Sequence, residues 1–282
     1  MVGFNFKTLY TIAKKEFMDN IRSKWIIAIS IIFIILTIVS SYVAGGQGEF
    51  GGMEETVVSL LSISVLLIPL IAIMLGFSTI AGEAEKGALY VVLSYPVRRV
   101  EVLLGKFLGL GSVLAVTPII GFGLGGVVIA VTVGAEEGVA YLAFITLTII
   151  LGLMYLSVVI FISALCNTRV RAIAGGVVLF FWGMIYGLII MSIYIASGGS
   201  YEDFFTGTGL SNLPDWFWTS VVFSPGDLNQ MAVMRAFNIN QAFGFQIEAP
   251  EWMNMPFLLT IHMIWILIPL FLAYFFFKRR DI

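Results

Sequence analysis

The sequence predicts an all-α integral membrane protein with six transmembrane helices and both termini in the cytoplasm, and three observations carry that expectation. Of 282 residues, 60% are hydrophobic and only 11% are charged, with a mean hydropathy of +1.02. Soluble domains carry about 25% charged residues, and a globule of this size cannot hide so much apolar surface. The apolar residues also fall into six charge-free runs of 20 to 27 residues: Trp25–Ala44, Val57–Ile80, Phe107–Val133, Val139–Leu165, Ala172–Ser197 and Met253–Phe277. Roughly 20 such residues cross about 30 Å of hydrocarbon as a helix. These runs are continuously apolar, whereas a barrel strand alternates. Finally, 14 of the 15 basic residues fall in the first, third, fifth and seventh of the segments between and around the runs, and only Arg235 falls in the others. The positive-inside rule assigns the basic side to the cytoplasm. The opposite side carries eleven acids, among them Glu49, Glu54, Glu55, Glu136, Glu137, Glu202, Asp203 and Glu248.

The whole chain, 1–282, reads as a single transmembrane domain. Residues 1–24 precede the first apolar run and are polar and mixed, unlike a cleavable signal with its short basic start. Phe6, Leu9, Tyr10, Ala13 and Phe17 recur at helical spacing opposite Lys14, Lys15, Asp19 and Arg22, which predicts an amphipathic helix at the cytoplasmic interface. Residues 81–106 form the largest cytoplasmic loop. Glu83 and Glu85 open it, Gly87 loosens it, Leu89–Leu93 is apolar, and Pro96 forces a break before Arg98 and Arg99. This predicts a helix–break–helix element docked on something. Residues 198–251 are too long for a plain connection. Pro214–Trp218 supplies interfacial aromatics, and Ser224-Pro225 resembles a helix start leading through Asp227 to Arg235. One or two short helices are expected there, at the outer surface or re-entering it.

The search for chemistry excludes more than it finds. The only Gly-Lys pair, Gly105-Lys106, is followed by Phe107 and has Val100 where a P-loop needs glycine, so the chain holds no nucleotide motif. No GxSG serine accompanies the single His262, and one cysteine, Cys166, leaves no intrachain disulfide and no thiolate metal cluster. No span contains an acid or a lysine or arginine. A net charge of -2 gives no case for nucleic acid. No enzyme, cofactor or metal site is expected in this chain. His262, nine residues into the last run, is a functional candidate because ionisable groups in hydrocarbon are costly; a neutral histidine bonded to a neighbouring helix is the alternative. Gly183–Gly187 in the fifth run is a GxxxG step suited to self-association or to packing within one chain.

In the cytoplasmic loop, Glu83-x-Glu85-x-Gly87-x-Leu89, Leu93-x-x-Pro96-x-x-Arg99 and Gly105-Lys106 resemble the signature of ABC-2 type ABC transporter permeases, with Ala88 in place of the usual threonine. The leader AKKEFMDNIRSKW, the turn SALCNTRVRAIAGG and Ser224-Pro225-Gly226-Asp227 resemble the family's other elements, in the branch near the permease that serves copper-site maturation of nitrous-oxide reductase. The resemblance implies a half-transporter of a prokaryotic plasma membrane. A second permease copy, most simply a homodimer, and two copies of a separate ATP-binding subunit carrying ATP and Mg would complete an exporter. It further implies a coupling helix after Glu83, with Glu83, Glu85, Arg98 and Arg99 meeting the ATPase. The pathway is then expected to be lined by Ser30, Thr37, Ser40 and Ser41 with Trp182, Tyr186 and His262, although serine and threonine also bond their own helix backbone. Two other classes remain: a secondary carrier or channel, which would normally place charges at the midplane, and a membrane scaffold assembling an extracytoplasmic partner on its outer segment.

Overall fold

The computed structural model describes residues 4–45, 51–199, 213–239, 241–242, 245–246 and 249–280. The acids Glu49, Glu202, Asp203 and Glu248, expected on the side opposite the basic segments, lie outside the described residues. The chain runs α1 (Phe6–Ile21), α2 (Lys24–Gly45), α3 (Met53–Gly76), α4 (Ala81–Glu85), α5 (Ala88–Leu93), α6 (Arg99–Thr132), α7 (Gly138–Leu165) and α8 (Arg169–Ala196). Then come α9 (Asp215–Ser220), a 3₁₀ turn (Val221–Phe223), α10 (Pro225–Phe237), an antiparallel pair β1 (Gln241–Ala242) with β2 (Phe245–Gln246), and α11 (Met255–Arg279). Six helices among the described residues, α2, α3, α6, α7, α8 and α11, are long and apolar enough to cross a membrane.

The helices outrun the apolar stretches at the basic end. Helix α6 begins at Arg99 and α8 at Arg169, not at Phe107 and Ala172. Charge-free counting measures the hydrocarbon layer, whereas a helix continues past it wherever its polar groups find partners. Within α6, Glu101 and Lys106 are almost fully buried, and both are bonded.

Packing is organised around α6 and α7. Helix α6 presents two small-residue steps, each receiving one helix. A Cβ on Gly105 would meet Ile12 at 2.8 Å and the Leu9 carbonyl oxygen at 3.2 Å, so α1 lies against it. Phe33 and Thr37 of α2 fill the space over Gly121 and Gly125 in the same way, and Phe33 stacks on Phe122 at 4.7 Å. Close backbone approach of this kind is the main packing device in lipid, where the hydrophobic effect between helices is absent. Helix α7 is the most buried span, packed by α3, α10 and α11, while α8 is the least buried and lies at the rim.

Helix α1 does not divide as its aromatic stripe suggests. Leu9, Ile12, Ala13 and Glu16 face α6, while Phe6 and Tyr10 stay exposed. Its N-cap is Asn5, whose side chain accepts from the Lys7 N–H at 2.9 Å.

Candidate functional site

The basic end of the bundle gathers buried charge around one lysine. The Lys106 ammonium, 3% exposed, donates to Glu16 Oε1 at 2.8 Å and to Glu83 Oε1 at 2.5 Å. Thus α1, α4 and α6 meet at a single ion cluster. The ammonium answers two carboxylates that would otherwise repel and be poorly solvated, the condition under which buried charge is tolerated. Beside it a polar cavity of about 130 Å³ is lined by Glu16, Asn20, Ser78, Thr79, Glu83 and Arg169. Partial burial of Lys15 works against its charge, but the Glu16 and Asp19 carboxylates outweigh that and hold its pKa above the ordinary lysine value.

A third carboxylate, Glu101, 1% exposed, ties the starts of two helices together. It accepts from the Asn5 N–H at 2.6 Å and from the Arg98 N–H at 3.0 Å. Glu85 accepts from the Arg169 N–H at 2.8 Å, stabilising the N-terminus of α8. The Arg99 Nη1 lies 2.6, 2.8 and 3.0 Å from the carbonyl oxygens of Phe277, Lys278 and Arg280, so it caps the end of α11.

The charges that the sequence assigned to a partner's surface therefore have intramolecular partners. Glu83, Glu85 and Arg99 are each engaged within the chain, because carboxylates and a guanidinium at this semi-buried level need counter-groups or helix ends. Arg98 is half-exposed at the turn before α6. What the element presents outward is apolar and aromatic: Tyr90, Val91 and Tyr95 are 55%, 61% and 65% exposed. Gly87, at φ 76°, lets α5 leave α4 sharply, and Leu89 anchors α5 inward with no exposure.

At the opposite end, α9, the 3₁₀ turn and α10 fold back into the bundle to the depth of the span midpoints. Non-helical backbone at that depth needs a donor for each free carbonyl. The donors come from aromatic side chains on two spans. The Tyr186 hydroxyl donates to the Ser220 carbonyl at 2.7 Å, the Trp265 indole N–H to that of Val222 at 2.9 Å, and the Trp182 indole N–H to that of Phe223 at 3.4 Å. Ser224 caps α10, accepting from the Asp227 N–H at 3.3 Å, with Pro225 in the first turn. The segment re-enters rather than lying on the surface. Arg235 closes its return, donating to the carbonyls of Ala249 and Pro250 at 2.7 and 2.8 Å.

The expected pathway residues separate accordingly. The Ser30 and Thr37 hydroxyls donate to the Ile26 and Phe33 carbonyls of their own helix, and Ser41 to Gly51; all three are buried toward α6 and the loop rather than open to a lumen, and Ser40 is buried as well. Tyr186 and Trp182 serve the re-entrant turn. His262 has no exposed surface; its Nδ1 lies 2.7 Å from the Leu258 carbonyl oxygen, and its Nε2 has no bond within the described residues. A Cβ on Gly183 would sit 2.5 Å from the Tyr155 hydroxyl of α7, an intrachain contact, while Gly187 faces open space. Among the described residues, no three His, Cys, Asp or Glu side chains gather as a metal ion would require.

Sequence reasoning missed Lys106, Glu16 and Glu101 as site residues. The signal for Lys106 was its place beside Gly105: the glycine admits α1 and the lysine answers the carboxylate that α1 brings. Tyr186→Phe is expected to leave the Ser220 carbonyl unsatisfied at about 1–3 kcal/mol, read as a melting temperature several degrees lower in detergent.

The sequence model describing the ABC-2 family transporter proteins matches residues 10–282. A relative from Stutzerimonas stutzeri described as a probable ABC transporter permease protein NosY is 31% identical, covering 96% of this chain and 98% of the relative. A protein of the same description from Pseudomonas aeruginosa is 30% identical over 97% and 99%.

Proposed function

Because the chain belongs to the ABC-2 family of transporter proteins, a multi-pass permease subunit of a prokaryotic plasma membrane, we propose that its basic end is cytoplasmic and receives the force of a separate ATP-binding subunit through the 81–106 element. The observation that carries this reading is the combination of exposed Tyr90 and Val91 on α5, and Tyr95 in the turn after it, with the buried Lys106 cluster that anchors the neighbouring α4. An apolar knob resting on α4, which Glu83 ties to α1 and α6 through Lys106, is what a driven element needs: it fits a groove in the partner and passes a push into the bundle.

In this reading, two copies of the ATP-binding subunit carry ATP and Mg, and two permease copies pair, with the exposed face of α8 toward the partner copy. Cargo moves outward between them, past the re-entrant turn, where an extracytoplasmic partner would meet it. The charges act from behind the contact: Glu83 and Glu85 hold α4, on which α5 rests, against α1, α6 and α8, and Arg98 and Arg99 sit at the start of α6, where Arg99 holds the end of α11. Mechanical engagement thus falls to the aromatic residues and positional stiffness to the charged ones.

The test is co-purification with an ATP-binding cassette subunit from the same organism. Tyr90→Asp and Val91→Asp each remove a central apolar contact worth about 2 kcal/mol, roughly a thirtyfold loss of affinity, without touching a buried group. Retained association in the Tyr90→Asp, Val91→Asp double variant would remove α5 from the contact, and absence of any associated ATPase with the unaltered permease would remove the reading itself.

A further inference from the structure

The end of α11 is held from two sides. Arg99, the first residue after the 81–98 element, shares its Nη1 hydrogens among the carbonyl oxygens of Phe277, Lys278 and Arg280 and lies over the Phe277 ring at 5.7 Å. Arg280 in turn reaches the Cys166 carbonyl at 2.9 Å, at the end of α7. Twelve residues above Phe277, about 18 Å along the axis at 1.5 Å per residue, Trp265 of the same helix donates to Val222 in the re-entrant turn. The helix between them contains Pro269, which deprives the Trp265 carbonyl of its helical donor. The Ser157 hydroxyl of α7 lies 3.0 Å from that carbonyl and shares its one hydrogen between it and the Met154 carbonyl at 2.7 Å, so the turn before Pro269 is tied to α7. One helix is therefore clamped below to the element that the ATPase engages and above to the irregular backbone at mid-depth.

We propose that α11 is the connecting rod of this permease: Arg99 positions its base, Trp265 grips the re-entrant turn, and displacement of the 81–98 element is delivered to Val221–Ser224 along it. This rests on the function proposed above. A guanidinium bridging three carbonyls suits the base because it satisfies orphan acceptors of a helix end and carries charge toward the negative end of the helix dipole. An indole N–H suits the top because it donates once, directionally, from a bulky and poorly mobile ring. Coupling of this kind requires that both contacts bias the same helix.

The experiment labels Phe223, which is 59% exposed at the turn, as Phe223→Cys with a nitroxide on a Cys166→Ser background, in lipid nanodiscs with the ATP-binding subunit. Trapping with ATP and vanadate is expected to shift the label's mobility. Arg99→Gln and Trp265→Phe, which keeps the ring and loses only the N–H, are each expected to abolish that shift while the subunit still co-purifies; Arg99→Lys, keeping a charged donor, is expected to restore part of it. A shift that survives either Arg99→Gln or Trp265→Phe, or is absent from the assembled complex without them, overturns the rod. Failure of the ATP-binding subunit to co-purify overturns instead the function on which it rests. The rod then still answers to a double-mutant cycle on the permease alone: melting shifts of Arg99→Gln and Trp265→Phe that add fully refute it, and a combined shift clearly smaller than their sum supports it.

Discussion

Lys106→Met is expected to be the most damaging single substitution in the chain. The ammonium is 3% exposed and bonds Glu16 at 2.8 Å and Glu83 at 2.5 Å. Methionine matches its length but leaves two carboxylates facing each other without a counter-charge. Removing one partner of a buried ion cluster costs about 3–5 kcal/mol, far more than the net worth of the intact cluster, because the penalty is the uncompensated charge left behind. The variant should accumulate poorly, and what accumulates should show α1 released, read as trypsin cleavage at Lys14 and Lys15. The same argument predicts the rescue. Lys106→Met combined with Glu16→Gln and Glu83→Gln removes the charges together, and should recover most of the folded yield while losing stimulation of the ATPase. A triple variant no better than Lys106→Met would mean that the lysine matters for its shape and not for its charge.

Gly109→Leu should produce the same release of α1 by steric means. A Cβ there would sit 2.5 Å from the carbonyl oxygen of Ala13 and 2.7 Å from the Glu16 side chain. Backbone cannot swing aside as a side-chain tip does, so α1 must lift away from α6. Lifting it separates Glu16 from Lys106 and Asn5 from Glu101 together, so packing and electrostatics fail in one step. Hydrogen exchange across 6–21 should rise sharply, with exchange in α7 unchanged. Gly123→Leu, where a Cβ meets nothing within 4 Å, is the control and should behave as the unaltered protein. Protection of 6–21 in Gly109→Leu would mean that α1 is held by the membrane surface and not by α6.

Most of the fold was legible because lipid simplifies the code. A span must be apolar and about 20 residues long, and hydroxyls such as those of Ser30 and Thr37 are tolerated because they bond carbonyls of their own helix. In 81–106 the break at Pro96 before α6 was legible, whereas Gly87, read only as loosening one helix, separates α4 from α5; the cap at Ser224 was legible from its neighbour Pro225. The direction of charged side chains was not. Glu83, Glu85 and Arg99 read from the chain as groups offered to a partner, because sequence shows spacing along one segment and not the Lys106, Arg169 N–H or α11 terminus that another segment brings. Nor did Tyr186, Trp182 and Trp265 announce themselves as donors, since their acceptors lie 34 to 43 residues away in sequence.

By itself, then, the amino-acid order determined the number of crossings, the sorting of basic from acidic ends and the local helix starts and breaks. Each of these follows from transfer free energies and backbone preferences that a residue carries with it. Only the tertiary structure decided which face of α1 is buried, which charges are spent internally and how deep the segment between α8 and α11 reaches into the bundle. Those depend on pairing between groups far apart in the chain, where a buried ion or an orphan carbonyl is stable only if the fold supplies its complement.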